Sequence, residues 1–167
     1  TGYDTFGFVF FQCLILTVKG DLILLTRAPD LRQAQNTSII NDIRIWVDKD
    51  KSNPSDELKN ILSELSLEKS NLGVEYEAYG LTGRNAIRLN NSLKNFATLH
   101  DKSELISHFR AIKSIAEITY VKKAAELADK AMEAAWKHGH AGVNESKILA
   151  EMQGAIFNGG GDYPANE

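Results

Sequence analysis

The sequence predicts an α/β layer over its first 110 residues followed by a helical hairpin, and three observations carry that expectation. Short apolar runs alternate with amphipathic helical segments from residue 8 to residue 110, the pattern of strands and helices stacked as layers. Near residue 111 the text shifts to a long alanine-rich helical stretch and a second helix. The composition, 43% hydrophobic and 25% charged, is that of a globular chain and argues against disorder.

The elements follow in order. Phe8–Val18 and Leu22–Thr26 are apolar runs separated by Lys19-Gly20-Asp21, a turn whose glycine accepts positive φ, so a β-hairpin is expected. Asp30 is placed to cap a short helix through about Asn36, and Ile43–Val47 reads as a strand. Pro54 and Ser55 open a helix in which Leu58, Ile61, Leu62 and Leu65 share one face. Leu72–Glu75 is the next strand; Thr82 caps a helix carrying Ala86, Leu89 and Leu93; Phe96–Leu99 is a further strand. Asp101 and Glu104 have the spacing of a capping box for a helix to about Arg110.

Ser114 and Glu117 repeat that spacing ahead of the longest helix, in which Ile118, Val121, Ala125, Ala128, Met132 and Ala135 form an apolar face. Gly139 ends it. Asn144 caps a second helix with Ile148, Met152 and Ile156 on one face, closed by Gly159-Gly160-Gly161. These faces have no sheet to cover, and partial exposure is expected.

Several function classes are excluded or weakened. A formal charge of −3 leaves no basic footprint for nucleic acid or an anionic membrane. The apolar run Phe6–Val18 is broken by Gln12 and ends at Lys19, too short to span a bilayer. Cys13 is the single cysteine; it reads as a reduced core residue, which makes cytoplasm the expected compartment, and no basic segment precedes an apolar one as in a signal peptide. The chain begins at Thr1 without methionine and stops at Glu167 after the glycine cluster, so a fragment of a larger enzyme is expected.

Chemistry-bearing motifs are sparse. His100, His108, His138 and His140 have no ligand spacing and read as surface residues rather than metal ligands. Gly159-Gly160-Gly161-Asp162 follows a helix and lacks a following Lys-Ser or Lys-Thr, so it reads as a helix terminator rather than a phosphate loop. Glu75/Glu77 and Asp48/Asp50 lie in polar surroundings where solvated carboxylates are expected. No catalytic residue and no metal ligand is assigned. The densest aromatic stretch is Tyr3, Phe6, Phe8, Phe10 and Phe11. Core packing is expected for Phe8 and Phe10, with a substrate or partner surface as the alternative for the stretch.

Three segments resemble the creatinase / aminopeptidase P / prolidase family. Thr1-Gly2-Tyr3 is similar to the end of that family's "YLTGY" segment, and Arg110-Ala111-Ile112-Lys113-Ser114 with Glu117-Ile118 resembles its "R-x-I-K-S-x-x-E-I" junction. Ala124–Ala131, Gly142-Val143, Glu145 and Gly161-Asp162-Tyr163-Pro164-Ala165 resemble the opening of its catalytic domain. The resemblance implies a creatinase-type, ribonuclease-H-like mixed sheet flanked by helices over residues 1–110, incomplete at its start. Residues 111–167 would be the truncated beginning of a "pita-bread" catalytic domain.

It further implies a homodimeric Xaa-Pro dipeptidase-like hydrolase acting on a small peptide or amide. Two divalent metal ions (Mn, Co or Zn) would be bound by later parts of the parent, none by this fragment, which alone is expected to be inactive. Tyr3, Asp4 and Phe6 match the stretch that approaches substrate in the family. Alternatives within the fold are creatinase, ectoine hydrolase or dimethylsulfoniopropionate lyase chemistry; the alternative outside it is a non-catalytic α/β binding or oligomerisation module.

Overall fold

The computed structural model describes residues 2, 3, 5 and 10–162. The chain forms two compact units, Thr1–His108 and Phe109–Glu167.

The first unit is mixed α/β. Strands β1 (Cys13–Leu16) and β2 (Leu22–Arg27) pair antiparallel, with Cys13 opposite Leu25 and Leu16 opposite Leu22. The expected hairpin is present. Its turn is closed by the Thr17 carbonyl accepting from Gly20 N–H at 3.0 Å and by the Thr17 hydroxyl donating to Asp21 Oδ2 at 2.7 Å. Gly20 takes φ +92°, a value that carries little cost only without a Cβ. The first strand is shorter than the apolar run suggests, and Phe8 lies outside the described residues.

After β2 come a 3-10 turn (Ala28–Asp30) and helix α1 (Leu31–Thr37). These return the chain to β3 (Asp42–Trp46), parallel to β2. Asp30 sits at the N-cap position but its side chain caps nothing; its carboxylate turns instead to Arg27 Nε, 3.4 Å away. Helix α2 (Pro54–Glu64) starts at Asn53, whose side chain accepts from Ser55 N–H, and it buries Leu58, Ile61 and Leu62 as the spacing requires.

A second β-α-β unit follows: β4 (Asn71–Val74), α3 (Gly83–Leu93) and β5 (Thr98–Asp101), with β4 and β5 parallel. The Thr82 side chain caps α3 through Asn85 N–H. The expected mixed α/β layer is present, its strands forming a three-stranded ladder, β1-β2-β3, and a two-stranded one, β4-β5. Both contribute to one core: Phe11, Ile15, Ile23, Leu25, Trp46, Leu58, Ile61, Leu62, Leu89, Leu93 and Phe96 cluster together, with Cys13, Leu72, Val74 and Leu99 against them. A smaller cluster of Leu24, Ala34 and Ile40, with Tyr3, Leu22 and Ile43 packed on it, fills the α1 side of β2.

Helix α4 (Leu105–Ala111) follows β5 without the expected capping box. Asp101 Oδ1 accepts from the backbone N–H of Ser103 at 2.9 Å and from its hydroxyl. Those bonds hold the Asp101 carboxyl below the usual carboxylate range. The Glu104 carboxylate faces His108 instead.

In the second unit, α5 (Ile115–His138) and α6 (Glu145–Asn158) form a helical hairpin. The Ser114/Glu117 capping box is present in full. Asn144 caps α6 through Ser146 N–H, and Gly139 and Gly159 are the C-caps. The α5 surface turned to α6 carries Leu127, the buried Ala131 and His138. A Cβ on Gly159 would meet Leu127 Cδ2 at 2.2 Å, and His138 Nε2 is 3.8 Å from Glu151. Ile118, Val121 and Met132, from the other apolar stripe, are exposed.

Candidate functional site

The carboxyl ends of β2 and β3 are where a parallel strand pair presents side chains to its connecting loops, the common place for sites in α/β layers. Here the last two residues of β2, Thr26 and Arg27, meet the aromatic N-terminal stretch. Successive strand residues point to opposite faces, so the two hold different partners.

Thr26 is fully buried (0% exposed), and its Oγ1 is 3.1 Å from the Tyr3 hydroxyl. The Tyr3 ring is half-buried over Leu24, Ala34 and Ile40. Beside it Gly2 takes φ +76° and approaches the end of α1 so closely that a Cβ would lie 2.8 Å from the Thr37 carbonyl oxygen. That approach gives the glycine of Thr1-Gly2-Tyr3 its physical reason.

Arg27 holds Phe10. Its guanidinium carbon stands 3.5 Å from the centroid of the Phe10 ring, a cation–π arrangement, while Nε faces the buried Asp30 carboxylate at 3.4 Å. Arg27 and Asp30 side chains are only 18% and 12% exposed. Phe10 itself keeps 36% of its surface exposed. The expectation that it packs in the core is therefore corrected: Phe10 lies at a bend before β1 begins, outside the alternation that buries Phe11 and Ile15. The Gln12 amide donates to the Thr5 hydroxyl at 2.7 Å, and Trp46 Nε1 donates to the Phe11 carbonyl at 2.9 Å.

Of the candidate site residues, Tyr3 is thus located, whereas Asp4 and Phe6 lie outside the described residues. Thr26 and Arg27 were not singled out by the sequence, and Asp30 and Gln12 only as a helix cap and as the break in an apolar run. Arg27 and Asp30 at an i, i+3 spacing after an apolar strand were the available signal.

The remaining groups do not converge. His100 Nε2 meets Asn71 Oδ1 at 2.9 Å and His140 Nδ1 its neighbouring Ala141 carbonyl at 3.2 Å. Among the described residues no three His, Cys, Asp or Glu side chains are placed to hold a metal ion. An open hollow of about 370 Å³ lies at the amino ends of β2 and β3, lined by Asp21, Ile23, Ile40 and Asp42 among others. A second open one of about 660 Å³ lies by His138, Lys147 and Glu151. Neither is lined by Tyr3, Thr26 or Arg27, so the geometric hollows and the Tyr3–Arg27 cluster are separate features. The cluster has fixed polar and aromatic partners, whereas the hollows present open surface. No helix among the described residues is long and apolar enough to cross a membrane.

Residues 1–112 match the Creatinase/Prolidase N-terminal domain, and the chain belongs to that family. An uncharacterized hydrolase/peptidase of Sinorhizobium fredii is 28% identical over 170 residues, covering 98% of this chain and 43% of that protein. The ectoine hydrolase of Halomonas elongata is 27% identical over 183 residues, covering 99% and 45% respectively. A prolidase from Thermococcus sibiricus shares the fold with a TM-score of 0.73 at 23% identity, over 96% of this chain and 42% of that one. The chain spans less than half the length of these relatives.

Proposed function

We propose that this chain is the N-terminal portion of a metal-dependent hydrolase resembling Xaa-Pro dipeptidase or aminopeptidase. Residues 1–110 would supply its dimerisation and active-site-capping domain, and residues 111–167 the opening of its catalytic domain. The observation that carries the reading is the match of residues 1–112 to the Creatinase/Prolidase N-terminal domain in a chain whose curated relatives are named as hydrolases. Among the described residues no group of three His, Cys, Asp or Glu side chains is placed to hold a metal ion. Metal ligands and bond-cleaving groups would come from residues beyond these 167, and no step is assigned to a metal here. The protein would work in the cytoplasm as a homodimer.

This portion would contribute a wall rather than a reacting group. Tyr3, Asp4 and Phe6 would face substrate across the dimer, the aromatic rings excluding water and the carboxylate meeting a substrate ammonium. A second reading is favoured by one observation, the 27% identity to an ectoine hydrolase over nearly the whole chain: cleavage of a small cyclic amidine rather than a peptide.

The test is to express the full-length protein and assay Xaa-Pro dipeptides and ectoine with Mn²⁺, Co²⁺ and Zn²⁺. Turnover of a dipeptide supports the first reading and of ectoine the second; turnover of neither under any metal overturns both. Tyr3→Ala or Asp4→Ala should raise KM or lower kcat/KM by an amount worth about 1–3 kcal/mol, and unchanged kinetics in both would leave this stretch a structural one.

A further inference from the structure

We propose that Leu127 and the glycine run after α6 form a latch that holds the open end of the α5–α6 hairpin. The inference goes beyond the reading above and does not depend on which reaction the protein performs. The sequence marks Gly159-Gly160-Gly161 as a helix terminator, and the structure shows how it terminates. Gly160 N–H donates to the Phe157 carbonyl at 3.0 Å, and Gly161 N–H donates to the Ile156 carbonyl at 3.0 Å. With Gly159 as C-cap, these are the two bonds that close a helix end around one left-handed residue. Gly160 is that residue, with φ +82°.

The other two glycines need a different reason. Gly159 has φ −84° and ψ 2°, and Gly161 has no positive φ, so φ alone would accept a side chain at both. Leu127, reaching across from α5, is what excludes one. A Cβ on Gly159 would lie 2.2 Å from Leu127 Cδ2. One on Gly161 would lie 2.9 Å from Leu127 Cδ1 and 2.7 Å from Ile156 Cγ2. Helix ends of this kind ordinarily carry an apolar contact between the residue after the left-handed one and the third-last helical residue. Here those positions are Gly161 and Ile156, and the half-buried Leu127 takes the place of the side chain that Gly161 lacks. The contact that closes α6 therefore comes from α5.

Its position explains its use. The loop after His138 joins the two helices at one end, where His138 Nε2 stands 3.8 Å from Glu151. Leu127 lies eleven residues back along α5, roughly 16 Å at 1.5 Å per residue, and meets the end of α6 remote from that loop. Among the described residues of this unit Ala131, between the two, is the one that is buried. A leucine seated against glycine backbone gives the open end a closer contact than alanine can supply.

Hydrogen exchange of the 167-residue chain decides it. Leu127→Ala should accelerate exchange in peptides covering residues 153–162 about tenfold, the scale of a half-buried leucine's lost contacts, while peptides from α2 and α3 stay unchanged. Alanine is the better helix former, so lost propensity cannot produce that result. Gly159→Ala fits when Leu127 swings out, so it should match Leu127→Ala, and the double variant should be no faster than either. Gly160→Ala, strained by its φ whatever Leu127 does, should instead add its full effect to that of Leu127→Ala. Unchanged exchange in Leu127→Ala overturns the latch, as do wild-type amides of residues 153–162 already at the unfolded rate. So does a Gly159→Ala effect that is the same with and without Leu127.

Discussion

Thr26 is fully buried, and a buried hydroxyl left without a partner costs about 1–3 kcal/mol. The Tyr3 hydroxyl at 3.1 Å offsets that cost and ties the N-terminal segment to the sheet. Tyr3→Phe keeps the ring on Leu24 and Ala34 but removes the partner, so it should destabilise the chain by about 1–2 kcal/mol in urea denaturation. Thr26→Val added to it should recover part of the loss, since both polar atoms are then gone; a double variant as unstable as the sum of two separate losses would contradict the account. Cys13 gives a second prediction at this scale. The residue keeps some solvent exposure, yet its side chain packs on the core, and burial pushes the thiol up from 9.0 to about 11. The thiolate is the reactive form. At pH 8 a disulfide reagent should therefore modify native Cys13 roughly a hundredfold more slowly than the unfolded chain. A native rate equal to the unfolded one would show an open thiol. The sign for stability follows: between pH 9 and about 11 the unfolded chain has lost the proton that the native one keeps, so stability falls as pH rises through that window.

Helix α5 begins where its own text says it must. Ser114 Oγ accepts from Glu117 N–H at 3.2 Å, and Ser114 N–H donates back to Glu117 Oε2 at 2.7 Å. That backbone bond first, then the Ser114 side chain, holds the Glu117 carboxyl below its ordinary range. A depressed carboxylate stabilises at neutral pH and loses its effect as pH falls through its native value, below the ordinary glutamate range. Amide exchange in residues 115–118, corrected for intrinsic rate, should accelerate on acidification while the middle of α5 does not; a flat profile would mean the box contributes nothing. Such caps were legible because donor and acceptor lie within four residues. Asp101 and Glu104 share the spacing yet fail, because the adjacent Ser103 takes the Asp101 carboxylate. Asp30 likewise gives up its cap for Arg27, a tertiary partner that local pattern does not reveal. Phe10 was misread for a related reason: alternation assigns faces only inside a strand, and the ladder starts at Cys13. Tyr3 was picked out by resemblance to a motif, whereas its partner Thr26 needed the chain folded back 23 residues in sequence.

The two units differ in how much apolar surface they bury. Among the described residues the core of the first holds large side chains from every layer, Leu25 and Leu93 nearly sealed at 1% and 2% exposure. Among the described residues of the second only Ala131 is buried. An alanine-rich helix is apolar around much of its circumference, which is why the sequence showed an apolar stripe but not which side α6 would take. The side left over carries Ile118, Val121 and Met132, at 42%, 53% and 52% exposure, with Trp136 one turn beyond Met132 at 82%. Contiguous apolar area of this kind is costly in water, about 25 cal/mol for each Å² left uncovered, and association is the usual way it is removed. The 167-residue chain should therefore sediment with a concentration-dependent mass. Val121→Glu with Met132→Glu replaces the centre of the stripe by charge at exposed positions. Glutamate is a good helix former, so helicity should hold. The double variant should sediment as a monomer with its first-unit unfolding unchanged. A wild-type chain that is monomeric at every concentration would show that this face does not drive association, and a double variant that still self-associates would locate the contact elsewhere.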